Sequence, residues 1–127
     1  MSDSYKEWLN RAKSNLYLAK ESNRQEVYFE DLCFQAQQAA EKALKAVMIL
    51  LAIEPPRSHN FNILLLKLGE KIELPEVCND VIDLNDYAVQ TRYPGDYTPV
   101  DIDEYHNAIE IAERIVTWAS EYIQKNS

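Results

Sequence analysis

The stretch best suited to chemistry is Thr91-Arg-Tyr-Pro-Gly-Asp-Tyr97, an isolated arginine among aromatic rings. Pro94 and Gly95 make it a loop. There a guanidinium offers a planar fork that matches phosphate through two parallel hydrogen bonds. Tyr93 and Tyr97 beside Arg92 are rings on which a base can stack or which can flank a ligand. The competing use of Arg92 is structural: pairing with Asp96 or Asp101, or binding carbonyls at a helix end.

Two further groups accompany it. Lys42 and Lys45 stand three residues apart within Phe34-Gln-Ala-Gln-Gln-Ala-Ala-Glu-Lys-Ala-Leu-Lys-Ala46 and share one helix edge. They either face a common cleft, raising its potential, or lie exposed and balanced by Glu41. Glu41 and Lys45 are spaced for an i,i+4 pair, and Gln37 and Gln38 are placed to hydrogen-bond nearby loop backbone. His59, in Arg57-Ser-His-Asn60, is a candidate general base near neutral pH. The alternative is that it satisfies a helix end. His106 reads as structural.

Metal chemistry finds no support in the ligand spacing. Asp80, Asp83 and Asp86 recur every three residues, which describes one solvated helix edge. Asp101, Asp103 and Glu104 suit the first turn of a helix, where acids complement the dipole. No glycine-rich phosphate loop, Cys–His ligand set or activated serine occurs, so neither metal nor cofactor is expected. Cys33 and Cys78 share no ligand spacing and read as reduced core thiols.

A chain of 127 residues with 46% hydrophobic content suits one domain, 1–127, able to bury a core of its own. The formal charge of -8, from 21 acids against 13 bases, repels phosphate backbones and disfavours generic nucleic-acid binding. A local basic cleft remains compatible with it. No segment reaches the ~18 to 20 apolar residues of a membrane span, and the first residues lack a basic segment followed by an apolar run. A cytoplasmic location is expected.

The elements that must hold these residues are helical. Ser4-Tyr-Lys-Glu7 is a capping box, and Tyr5, Trp8, Leu9, Ala12, Leu16 and Ala19 form an apolar stripe ending near Ser22. A longer helix runs from about 28 to 53, with two apolar rows, and Pro55-Pro56 stops it. Asn60 caps a short helix carrying Phe61, Leu64, Leu65 and Leu68, ended by Gly69. Pro75 opens a fourth, with Val77, Val81, Leu84 and Ala88 inward. Thr98 caps the last, which turns Tyr105, Ala108, Ala112, Ile115, Ala119 and Tyr122 inward. The prediction is an all-α, up-and-down bundle of about five helices, four long and one short.

The 34–46 helix, His59 ahead of Leu64-Leu65, and the Arg92-Tyr93-Pro94 triplet together resemble the HEPN family (higher eukaryotes and prokaryotes nucleotide-binding) over nearly the whole chain. The resemblance implies a helical bundle that commonly dimerises. It also implies association with a minimal nucleotidyltransferase, often as a toxin–antitoxin pair, and contact with nucleotide or RNA. Some members are metal-independent ribonucleases whose motif is an arginine and a histidine with four to six residues between them. From Arg92 those places hold Tyr97, Thr98 and Pro99, and from Arg57 they hold Asn62, Ile63 and Leu64. Tyr97, with a reference pKa of about 10, is a poor substitute base. What carries over is nucleotide binding through Arg92, Tyr93, Tyr97, Lys42, Lys45 and His59, together with partner association, but not RNA cleavage. Two alternatives stay open: a divergent ribonuclease built on Arg92, and a purely structural interaction domain.

Overall fold

In the computed structural model, residues 4–22, 26–88 and 99–127 are described. Helix α1 (Ser4–Ala19) buries Leu9, Ala12 and Ala19 and leaves Trp8 and Leu16 half-buried at its edges. It stops short of the predicted Ser22, and Ser4 is already its first helical residue. Helix α2 (Phe29–Leu50) is the centre of the molecule and packs against α1, the short helix α3 (Phe61–Gly69) and the C-terminal helix α4 (Ile102–Asn126). Its burial reflects its composition. Ala36, Ala39, Ala40, Ala43 and Ala46 are all fully buried, and side chains this small let neighbouring helices approach closely on two sides. The expected all-α, up-and-down bundle is the observed architecture.

The end of α2 falls earlier than the proline pair. Ala52 takes a left-handed conformation (φ 60°), its N–H donates to Ile49 O at 3.0 Å, and Ile53 N–H donates to Met48 O at 2.8 Å. That is a Schellman closure, formed here without the usual glycine. Pro55 and Pro56 lie beyond a helix that has already ended.

Helix α3 begins as predicted, with Asn60 Oδ1 accepting from Asn62 N–H at 2.9 Å, and it buries Phe61, Leu64 and Leu68. The segment after Pro75 departs from expectation. It folds as two 3₁₀ helices, Glu76–Asn79 and Val81–Tyr87, instead of one α-helix. The cause is legible: Cys78, Val81 and Leu84 are buried at three-residue intervals, while Asp80, Asp83 and Asp86 repeat every three on the exposed side. A threefold repeat matches three residues per turn, not 3.6.

Helix α4 also starts later than predicted. Its cap is Asp101, whose carboxylate accepts from Glu104 N–H at 2.8 Å. The amide of Val100, a first-turn donor that would have no intrahelical acceptor in a helix capped by Thr98, donates to the Glu30 carboxylate of α2 at 3.3 Å. From there α4 buries Tyr105, Ala108, Ile111, Ala112, Ile115, Val116, Ala119 and Ile123 against α2 and α1. Tyr105 stacks on Phe29 with centroids 4.9 Å apart, and its hydroxyl donates to Ala19 O at 2.5 Å, tying the end of α1 to α4. Cys33 and Cys78 are buried free thiols, as expected.

Candidate functional site

A single polar stripe crosses the alanine-rich centre of α2. Gln37, Glu41 and Lys45 follow one another at i,i+4 spacing, which stacks them along one face of a helix. Among the described residues they are the buried polar side chains, 0%, 4% and 7% exposed. Groups like these survive in a core only when they are hydrogen-bonded, and here each is. Gln37 Nε2 donates to Glu41 Oε1 at 2.9 Å, Lys45 Nζ donates to Oε2 at 2.9 Å, and Gln38 Nε2 donates to Gln37 Oε1 at 2.8 Å. No buried side-chain nitrogen or oxygen among the described residues lacks a partner.

The stripe reaches the surface through His59. In the connection between α2 and α3, its Nδ1 lies 2.9 Å from Glu41 Oε1 while 65% of its side chain stays exposed. A buried, paired carboxylate therefore holds an exposed imidazole by one nitrogen. Burial alone pushes the Glu41 carboxyl upward, but hydrogen bonds from Lys45, Gln37 and His59, with the charge of Lys45, outweigh it. The net effect holds Glu41 below the usual carboxylate range, so it is ionised at neutral pH and can only accept hydrogen bonds. On the α1 side, the Lys45 ammonium also lies 5.8 Å from the centroid of the Trp8 ring, within cation–π range.

Lys42 takes a different course. Its ammonium donates to Asn15 Oδ1 at 3.0 Å, and Asn15 Nδ2 donates in turn to Gln35 Oε1 at 2.7 Å. This second relay bridges α1 and α2. Partial burial first, and the charge of Arg11 second, push the Lys42 ammonium below the usual lysine range, with Glu41 opposing.

Several sequence expectations thus resolve. Lys42 and Lys45 do share the α1-facing edge, but Lys45 belongs to a buried ion pair and is not a free ammonium in a cleft. Gln37 and Gln38 bond side chains of the stripe instead of loop backbone. Arg92, Tyr93 and Tyr97 lie outside the described residues. His106 is exposed, its ring tilted against Tyr105 at 5.6 Å. Asp80 pairs with Arg114 at 3.6 Å, and no group able to hold a metal ion occurs among the described residues. What sequence reasoning missed is the tie between Glu41 and His59. The available signal was a glutamine, a glutamate and a lysine at perfect four-residue spacing inside an alanine row, which marks polar groups on a buried face.

The chain is an all-helical bundle, and comparison places it in a known family of such bundles. The family model for the HEPN domain matches residues 5–122, and the chain belongs to that family. Its fold is similar to that of TT1696 from Thermus thermophilus, with TM-score 0.78 and 30% identity over 95% of this chain and 98% of that one. It is also similar to ST0689, an archaeal HEPN homologue, with TM-score 0.73 and 27% identity over 94% and 97% of the two chains. An HEPN domain protein from Thermotoga maritima shares the fold at 23% identity, with TM-score 0.56 over 97% and 96%. No curated protein matches the chain significantly. No helix among the described residues is long and apolar enough to cross a membrane.

Proposed function

We propose that this HEPN module is a non-catalytic nucleotide-binding and interaction domain. It dimerises and works with a minimal nucleotidyltransferase partner in a toxin–antitoxin-type pair. Arg92 supplies the phosphate fork, Tyr93 and Tyr97 flank the ligand, and Lys42 and His59 line the approach from the bundle. Lys45 acts from beneath by fixing Glu41. The observation that carries this reading is the Gln37–Glu41–Lys45 stripe with His59 at its mouth. Replacing a buried ion pair by apolar side chains of similar volume is often neutral or stabilising, so stability alone is a weak reason for the stripe to exist. An exposed imidazole held by a buried carboxylate is, by contrast, what a ligand-facing group requires.

Calorimetric titration with nucleoside triphosphates tests the reading. Binding is expected in the wild type and a loss of roughly tenfold or more in Arg92→Ala, since a bidentate charge-assisted contact is removed. Equal affinity in the two proteins rules out Arg92 as the anchor. The Glu41–His59 pair also favours a second reading, a divergent metal-independent ribonuclease in which His59 assists Arg92 as base. That reading requires cleavage of a diverse RNA pool without added metal, abolished in Arg92→Ala.

A further inference from the structure

His59 presents a specific chemistry to a ligand, and it follows from which of its nitrogens is occupied. Glu41 is an acceptor only. The 2.9 Å contact with Nδ1 is therefore a hydrogen bond only if Nδ1 carries the proton. In the neutral ring the other nitrogen, Nε2, is then left bare. Nε2 has no hydrogen-bond partner among the described residues, and the ring is largely exposed.

The carboxylate cannot turn away to release the ring. Oε2 is held by Lys45, Oε1 also accepts from Gln37, and Gln37 is itself fixed by Gln38. Three hydrogen bonds from outside the imidazole thus set the orientation of the one group that sets its tautomer.

We infer that Glu41 is a positioning residue that locks His59 as a hydrogen-bond acceptor, so that His59 receives a donor group of the ligand instead of gripping phosphate. A bare lone pair and a phosphate oxygen are both acceptors and repel. The parts of an adenine nucleotide that can donate to Nε2 are the ribose hydroxyls and the exocyclic amine of the base. The ligand half of this inference rests on the nucleotide-binding reading above, whereas the tautomer half stands on the geometry alone.

Two measurements separate these halves. Long-range proton–nitrogen correlation spectra of the full chain resolve two imidazoles, since only His59 and His106 occur. With the rings neutral, His59 is expected as the Nδ1–H form in the wild type, with exposed His106 as the internal reference. Glu41→Leu, which leaves no acceptor, should return His59 to the His106-like pattern. Because that variant disturbs a buried pair, Gln37→Leu serves as a second probe, removing a holder of Oε1 without removing the acceptor. It should broaden the His59 signals without abolishing the Nδ1–H form. An Nε2–H form or a free mixture in the wild type overturns the lock.

Calorimetry then compares ATP, 2′,3′-dideoxy-ATP and purine riboside triphosphate. Removing the donor that meets Nε2 should weaken binding about three- to tenfold, as for one hydrogen bond. His59→Ala should erase that difference. A loss with the dideoxy analogue assigns the ribose, and a loss with purine riboside triphosphate assigns the amine. Equal binding of all three overturns the acceptor role while leaving nucleotide binding intact. Failure of every nucleotide to bind removes the ligand assignment together with the reading it rests on.

Discussion

Replacing Lys45 by methionine tests the view that the stripe in α2 is one unit and not a set of independent contacts. Lys45→Met preserves most of the side-chain volume and removes the charge. It leaves the Glu41 carboxylate, 5% exposed, with only Gln37 and His59 as partners. Breaking a buried pair by removing one member typically costs 3–5 kcal/mol. His59 gives water a route toward Oε1, so about 2–4 kcal/mol is expected. Glu41→Leu alone strands a buried ammonium and leaves the fully buried Gln37 amide without its acceptor, and it should cost at least as much.

The double variant Glu41→Leu/Lys45→Met removes both charges at once. Its expected cost is only about 1–2 kcal/mol, mostly from Gln37, and is therefore far below the sum of the singles. Urea denaturation followed by circular dichroism reads these differences, with an unchanged m-value as the check that the unfolding transition is comparable. Glu41 also imposes a pH signature. Its folded pKa lies below the ordinary value of about 4.5, so its contribution is present above that pH and is lost as pH falls through the folded value. Additive single and double variants, or a Lys45→Met protein within about 0.5 kcal/mol of wild type, would refute the claim of a coupled buried unit.

Ala52→Gly should stabilise the protein by about 0.5–1 kcal/mol in the same assay. Glycine relieves the left-handed strain at φ 60° and gives back part of the gain as unfolded-state entropy. Burial pushes the Cys33 thiol up to about 12 and the Cys78 thiol up to about 11, Cys33 with added repulsion from Glu104 and Glu30. Both raised values mean stability that is intact below about pH 9 and declines as pH rises from there toward 11 and 12, visible as a falling Tm. The same two thiols should resist Ellman's reagent in the native protein and react fully in urea.

The helices were legible wherever a face repeats with a period of 3.6. Tyr105, Ala108, Ala112, Ile115 and Ala119 announce α4, and Leu32, Ala36, Ala39 and Ala43 announce α2. Boundaries were less so, because they turn on single hydrogen bonds between distant segments. The carbonyl at the end of α1, that of Ala19, is taken by the Tyr105 hydroxyl, eighty-six residues away. The 3₁₀ pair after Pro75 was written in the sequence as a three-residue repeat, but Val77, Val81, Leu84 and Ala88 imitate a helical stripe closely enough to hide it. In the site, the i,i+4 pair of Glu41 with Lys45 could be read directly, being local. The approach of His59 to Glu41 depends on how the 51–60 connection turns back over α2, and no spacing encodes that.

The charge of the site follows from these pairings. Lys45 is neutralised by Glu41, Lys42 is held by Asn15 with its charge disfavoured by burial and by Arg11, and the chain as a whole carries -8. The bundle thus offers a nucleotide oriented hydrogen-bonding groups far more than positive potential. In the proposed reading nearly all attraction for phosphate then falls to the Arg92 loop, while the α2 stripe chooses which ligand fits. A site divided this way binds through one guanidinium and discriminates through one imidazole. Its affinity should therefore depend on salt as a single contact does, not steeply as a basic nucleic-acid groove does. An acidic protein can hold one small nucleotide on those terms and still repel long polyanions.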